Sequence, residues 1–112
     1  MPWIGREAEE RACELLRGLG YRIMARNWRT RFGEIDIIAR EGGTIVFVEV
    51  KARSGVGYGG PSGAVDAAKQ RRIATTASLF LQETGCELPA RFDVVAFSGE
   101  EPRLHRNAFG ME

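Results

Sequence analysis

The 112-residue sequence holds a single histidine, His105, and only two cysteines, Cys13 and Cys86, far apart and in no ligand spacing. That inventory argues against a multi-histidine metal centre, a Cys/His nucleophile pair and a disulfide framework. No apolar run approaches the roughly 18–20 residues of a membrane-spanning helix, and no secretory leader opens the chain. These absences lead to the expectation of a cytoplasmic protein with no membrane role. Net charge is only +1, so bulk basicity does not announce a nucleic-acid partner, and any such surface must come from local clustering. Internal repeats and low-complexity tracts are missing as well. What remains is an ordinary globular composition, 44% hydrophobic and 28% charged. Its length suits one domain, residues 1–112, with one core.

Periodicity then divides the chain. Ala8, Ala12, Leu15, Leu16 and Leu19 recur at helical spacing, which predicts a first helix from Gly5 to Leu19 stopped by Gly20. "YRIMARNWR" predicts a first strand, and Glu34 to Ala39 a second. Gly42 and Gly43 supply the backbone angles of a tight hairpin turn into a third strand, Thr44 to about Ala52. The glycine-rich "RSGVGYGGPSG" is a loop. A second helix is expected from Ser62 as N-cap, with Asp66 in its first turn. Val65, Ala68, Ile73, Ala77, Phe80 and Leu81 form its buried side, and Gly85 is its end. "RFDVVAF" and "RLHRNAF" are two last strands. The order α-β-β-β-α-β-β implies an α/β fold, a mixed sheet with helices packed on it.

The hairpin "GEIDIIAREGGTIVFVEVKAR" carries Asp36, Glu49 and Lys51 among residues that look buried. Side chains at i and i+2 share a strand face. Glu34, Asp36 and Ile38 are therefore placed together on one strand, and Ile45, Phe47, Glu49 and Lys51 on the next. Asp36 and Glu49 both lie in the half of the hairpin away from the turn, so matching faces bring Asp36, Glu49 and Lys51 to one end of the sheet. Two readings compete. Glu49 and Lys51 can be a neighbour ion pair on a solvated face, worth ~0–1 kcal/mol. Or the cluster can do chemistry: carboxylate oxygens are the ligands Mg²⁺ prefers, such an ion activates water and neutralises a phosphoryl oxygen, and a lysine beside it stabilises developing charge. Apolar residues on both faces of the third strand mark it as central, which favours the second reading. On the first helix Glu9 falls at the edge of the buried stripe, whereas Glu7, Glu10 and Glu14 lie well outside it.

"GEID…VFVEVK" resembles the PD-(D/E)xK nucleases of the restriction-endonuclease-like fold. "GREAEERA", "ARNWRTRFGEIDIIAREGGTIVFVEVKAR", "YGGPSGAVDAAKQRRI" and "RFDVVAF" together resemble the YraN family, small bacterial proteins similar to archaeal Holliday-junction resolvases. The resemblance runs from Gly5 to about Phe109. It implies catalytic roles for Asp36, Glu49 and Lys51, and a Mg²⁺ or Mn²⁺ ion held by Glu9, Asp36, Glu49 and the backbone carbonyl of Val50. It also implies a polar residue near the site at Gln70. The sequence departs from the nuclease pattern in having Ile35 where a proline would precede Asp36.

Arg29 and Arg31 lead into this hairpin, Arg53 leaves it, and Lys69 opens the second helix; with Gln70 they are the candidate nucleic-acid contacts. A solvated charged surface is the alternative for the bases. Trp28 is either a stacking platform or core, and Asp93, inside an apolar strand, is expected to pair with a nearby arginine or lysine. "GVGYGGP" lacks the G-K-[ST] ending of a phosphate-binding loop and reads instead as a lid over DNA. The expected function is a metal-dependent endonuclease, or a nuclease-like DNA-processing protein, acting on structured or branched DNA. A homodimer suits symmetric cutting of two strands. The rival functions are a non-catalytic nucleic-acid-binding module on the same fold and a small adaptor.

Overall fold

The structure is a computed structural model that describes residues 6–53 and 65–110, and the side chains of 52 and 53 lie outside that description. In chain order the elements are α1 (Arg6–Gly18), β1 (Arg22–Thr30), β2 (Gly33–Glu41), β3 (Thr44–Arg53), α2 (Ala67–Thr84), β4 (Ala90–Ser98) and β5 (Glu101–Phe109). The five strands form one sheet in the order β1-β2-β3-β4-β5. All neighbours are antiparallel except β3 and β4, which run parallel. A parallel pair needs a long crossover, and α2 is carried by that connection. This is the α/β architecture expected from the sequence. Among the described residues no helix is long and apolar enough to cross a membrane.

Two apolar layers sandwich the sheet. Ala8, Ala12, Cys13 and Leu16 of α1 pack on Ile37, Ala39, Val46, Val48, Val95 and Phe97. Ile73, Ala77 and Phe80 of α2 pack on Ile35, Ile38, Ile45, Phe47, Phe92 and Val94. The third strand is therefore covered on both faces, which is why "TIVFVEV" shows no polar alternation. Trp28 belongs to the α2 layer, edge-on against Phe80 with ring centroids 5.3 Å apart. Its indole is core rather than an open platform.

Three sequence expectations are corrected. Leu19 is 48% exposed, although it continues the apolar spacing of α1. The helix stops at Gly18, and Gly20 turns left-handed (φ 95°). The Gly20 N–H then donates to Arg17 O at 3.0 Å, and the Tyr21 N–H to Leu16 O at 2.9 Å. This closing motif buries Tyr21 beside Leu16 and leaves Leu19 on the outside of the turn. The N-cap of α2 is Asp66, not Ser62: its carboxylate accepts the Lys69 N–H at 2.8 Å. Ser62 and the "GVGYGGP" segment fall outside the described residues. Ala68, expected inside, sits exposed in the first turn that this later start creates. Asp66→Ala should lower stability by about 1 kcal/mol, a melting-temperature loss of about 4–8 °C in a domain of this size, readable by circular dichroism.

Asp93 is fully buried and meets the arginine the sequence led one to expect. Arg91 Nε donates to its Oδ1 at 3.0 Å, while Tyr21 OH donates to Oδ2 at 2.8 Å and the Asn107 N–H to Oδ1 at 2.9 Å. Arg91 also reaches Glu41 at 2.6 Å, and Arg106 joins Glu41 at 3.0 Å. Burial and the Asp93 carboxylate together push the Tyr21 phenol up to about 12. The network ties Tyr21, just before β1, to β2, β4 and β5 on the α1 face, towards the hairpin end of the sheet.

Candidate functional site

The last paired residues between β2 and β3, moving away from the turn, are Ile37 and Val48. Beyond them Asp36 takes over the role of a backbone acceptor: its Oδ2 receives the Val50 N–H at 2.8 Å. Strict alternation fails at this point. Ile35 and Ile38 both enter the α2 layer while Ile37 and Ala39 enter the α1 layer, so Asp36 does not share a face with Ile38 as its spacing implied. The irregularity continues on β1, where Asn27 is left-handed (φ 54°). On either side of it Arg26 faces α1 and Trp28 faces α2.

Glu49 is 7% exposed, one of the few buried charged groups. It lies next to Asp36 but turns to the α2 side, where its Oε2 pairs with Lys69 Nζ. The Asp36 carboxyl is pushed up to about 7, first by burial and then by the negative charge of Glu49, against the opposing pull of the Val50 N–H. Glu9 and Glu34 add smaller repulsions. Glu9 sits where the helical geometry put it, its side chain 15% exposed at the border of α1. Its Oε1 accepts from Asn27 Nδ2 at 2.9 Å, with Arg26 Nη2 at 3.9 Å. Lys51 lies towards the N-terminus of α2. The Asp66 carboxylate there is held below its usual range by the Lys69 N–H, with Arg72 and Lys51 also contributing.

A cleft of about 580 Å³ opens beside Asp36, lined by Arg6, Glu9, Glu10, Arg26, Asn27, Arg29, Glu34 and Asp36. Arg29 stands at its rim, 74% exposed and 3.4 Å from Glu34. Arg31 is exposed, its guanidinium 4.9 Å above the Phe32 ring. Gln70 spends its Nε2 on Val65 O at 2.8 Å, bracing the chain as it enters α2. Arg53 closes β3 with its backbone. Asp36, Glu49, Lys51 and Lys69 thus gather at one end of the sheet, with Glu9 across the cleft; Arg29 and Arg31 lie on the approach. Arg26 anchors Glu10 at 3.0 Å, and Asn27, which holds Glu9, went unrecognised in the sequence. The only available signal was an asparagine in mid-strand, a residue tolerant of the left-handed region.

Among the described residues no three His, Cys, Asp or Glu side chains stand together as a ready metal cage. Glu49 is paired with Lys69, and Glu9 with Asn27 and Arg26. The oxygen donors that remain nevertheless suit a hard divalent ion, which takes one or two carboxylates and completes its shell with water and phosphate. Asp36 and Glu49 are such a pair, Glu49 buried and Asp36 half-buried beside its negative charge. The Val50 carbonyl faces the same neighbour as its N–H in an extended strand, and so lies on the Asp36 side.

The model for "Uncharacterised protein family UPF0102" matches residues 8–97. A UPF0102 protein of Symbiobacterium thermophilum is 54% identical over 112 residues, covering 95% of each chain. One of Halorhodospira halophila is 50% identical, covering 96% of this chain and 88% of its own. One of Persephonella marina is 44% identical, covering 98% and 97% respectively. On these matches, which span almost the whole fold, the chain belongs to the UPF0102 family, the YraN family that its motifs resembled.

Proposed function

We propose that the protein is a metal-dependent endonuclease acting on structured or branched DNA. The observation that carries this reading is the Asp36–Glu49 pair: two adjacent carboxylates, Glu49 buried and Asp36 half-buried, at the point where the β2–β3 ladder opens. Such a charge pair is costly unless a cation is shared between them. Asp36, Glu49, the Val50 carbonyl and Glu9 are the groups that would hold Mg²⁺ or Mn²⁺. The bound ion supplies Lewis acidity at a phosphoryl oxygen and a water of lowered pKa. Lys51, on the strand carrying Glu49, orients that water and stabilises charge developing on the phosphate. Arg29, Arg31 and Arg53 clamp neighbouring phosphates, and the open cleft gives the DNA backbone its approach to Asp36. A two-fold pair of protomers is the arrangement suited to cutting both strands of a branched substrate.

The test is a panel of linear, flap, splayed and four-way DNAs incubated with purified protein and Mg²⁺ or Mn²⁺. Cleavage of the branched members is expected, slowed about a hundredfold by Lys51→Ala. Binding of those DNAs without cleavage at any metal concentration would sink the catalytic reading in favour of a binding module. Absence of binding would leave an adaptor.

A further inference from the structure

We propose that Lys69 is the internal counter-ion of this site. Its ammonium holds Glu49 in the metal-free protein, yields that carboxylate to a divalent cation, and turns to a phosphate of the bound nucleic acid. The inference rests on the endonuclease reading and adds a residue whose role changes with occupancy. Glu49 is nearly buried, and a buried carboxylate without a partner is heavily penalised. Lys69 meets that need from a different element, through its ion pair with Glu49 Oε2. Its backbone is fixed, because the Lys69 N–H is bound by the Asp66 cap at 2.8 Å, so any exchange of partners is a swing of the side chain alone. That side chain remains 39% exposed, against 6% for Glu49, and so has solvent to swing into.

The residue type also matters. A lysine is a point charge on a flexible stem with rotatable donors, whereas an arginine would lock onto the carboxylate through two parallel bonds. A lysine therefore holds Glu49 without sealing it. An ammonium and a divalent ion on the same carboxylate repel one another, so one has to leave. Lys51 lies on the same α2 side, and the two ammonium groups together would offer charge to a phosphate there.

Mn²⁺ titrations by calorimetry, with Asp36→Asn marking the site, test the idea. Lys69→Met and Lys69→Gln are expected to bind Mn²⁺ about tenfold more tightly than the unmodified protein, the direction set by removing a like charge close to the ion. Both variants should also bind four-way DNA several-fold more weakly in Ca²⁺. In the unmodified protein, the Lys69 ammonium signal in a lysine-selective ¹H–¹⁵N spectrum should shift on addition of Mg²⁺. Unchanged or weaker Mn²⁺ affinity in both variants, or a Lys69 signal indifferent to saturating Mg²⁺, would overturn the counter-ion role and leave the endonuclease reading standing. No Mn²⁺ binding in any form, unmodified protein included, would overturn both.

Discussion

Asp36→Asn is expected to raise the melting temperature of the metal-free protein at pH 8 by on the order of 10 °C, while cutting DNA cleavage about a thousandfold. The two effects share one cause. Asparagine keeps an oxygen for the Val50 N–H, so the 2.8 Å hydrogen bond survives. It discards a charge that is half-buried and lies beside Glu49. The folded protein holds the Asp36 proton up to about pH 7, against 3.8 for the ordinary carboxyl. The stability linked to that proton is fully present below the unfolded pKa. It declines as pH rises from about 4, where the unfolded chain releases its proton, and is lost by about 7, where the folded protein follows. Each tenfold difference in proton affinity between the two states is ~1.4 kcal/mol, so the loss is about 2–4 kcal/mol for this half-buried carboxyl. The advantage of the asparagine variant should therefore be large at pH 8 and shrink towards pH 5. Calorimetric melts at the two pH values check it. A variant less stable than the parent at pH 8 would mean that Asp36 is not held against its charge.

Asp93→Ala is expected to cost about 3–5 kcal/mol, a large part of the roughly 5–15 kcal/mol that holds a typical domain together. Asp93 is 0% exposed and accepts from Tyr21, Arg91 and the Asn107 backbone. Truncation leaves three donors around an emptied space, one of them a charged guanidinium. Tyr21→Phe, which removes one hydroxyl and leaves the carboxylate with Arg91, should cost only about 1 kcal/mol. Urea denaturation of both variants separates a charge-centred network from ordinary packing, and an Asp93→Ala midpoint close to the parent's would refute the first.

The order of elements was readable because each carries its own local signal: helical spacing in α1, the Gly-Gly turn between β2 and β3, and Gly20 and Gly85 at the helix ends. Glu9 was readable for the same reason, since a helix is regular enough for its border to be located from spacing alone. The losses fall where a local rule meets a tertiary one. Ser62 and Asp66 are equally good caps by residue type, and only the fold picks Asp66. The spacing of Leu19 fits α1, but the chain has already turned. The period of two assumed an unbroken ladder through Asp36, and the opening of β2 from β3 breaks it. Glu49 was singled out by its apolar neighbours. Its partner Lys69 is on another element, twenty residues further along the chain, and nothing in either segment ties the two together.

The left-handed asparagines have a consequence for how two copies can meet. Asn27 (φ 54°) lies on β1 and Asn107 (φ 52°) on β5, the outermost strands of the sheet. The pairing slips between Ile23 and Ala25 on β1, and again where β5 passes Phe92 and Val94. An incoming strand needs an even row of N–H and C=O groups, and bulged, twisted borders do not offer one. The Asn107 N–H is already spent on Asp93. The sheet is thus ended at both borders by backbone shape rather than by closure into a barrel. Among the described strands, fusion of two sheets into a continuous one is disfavoured at either border.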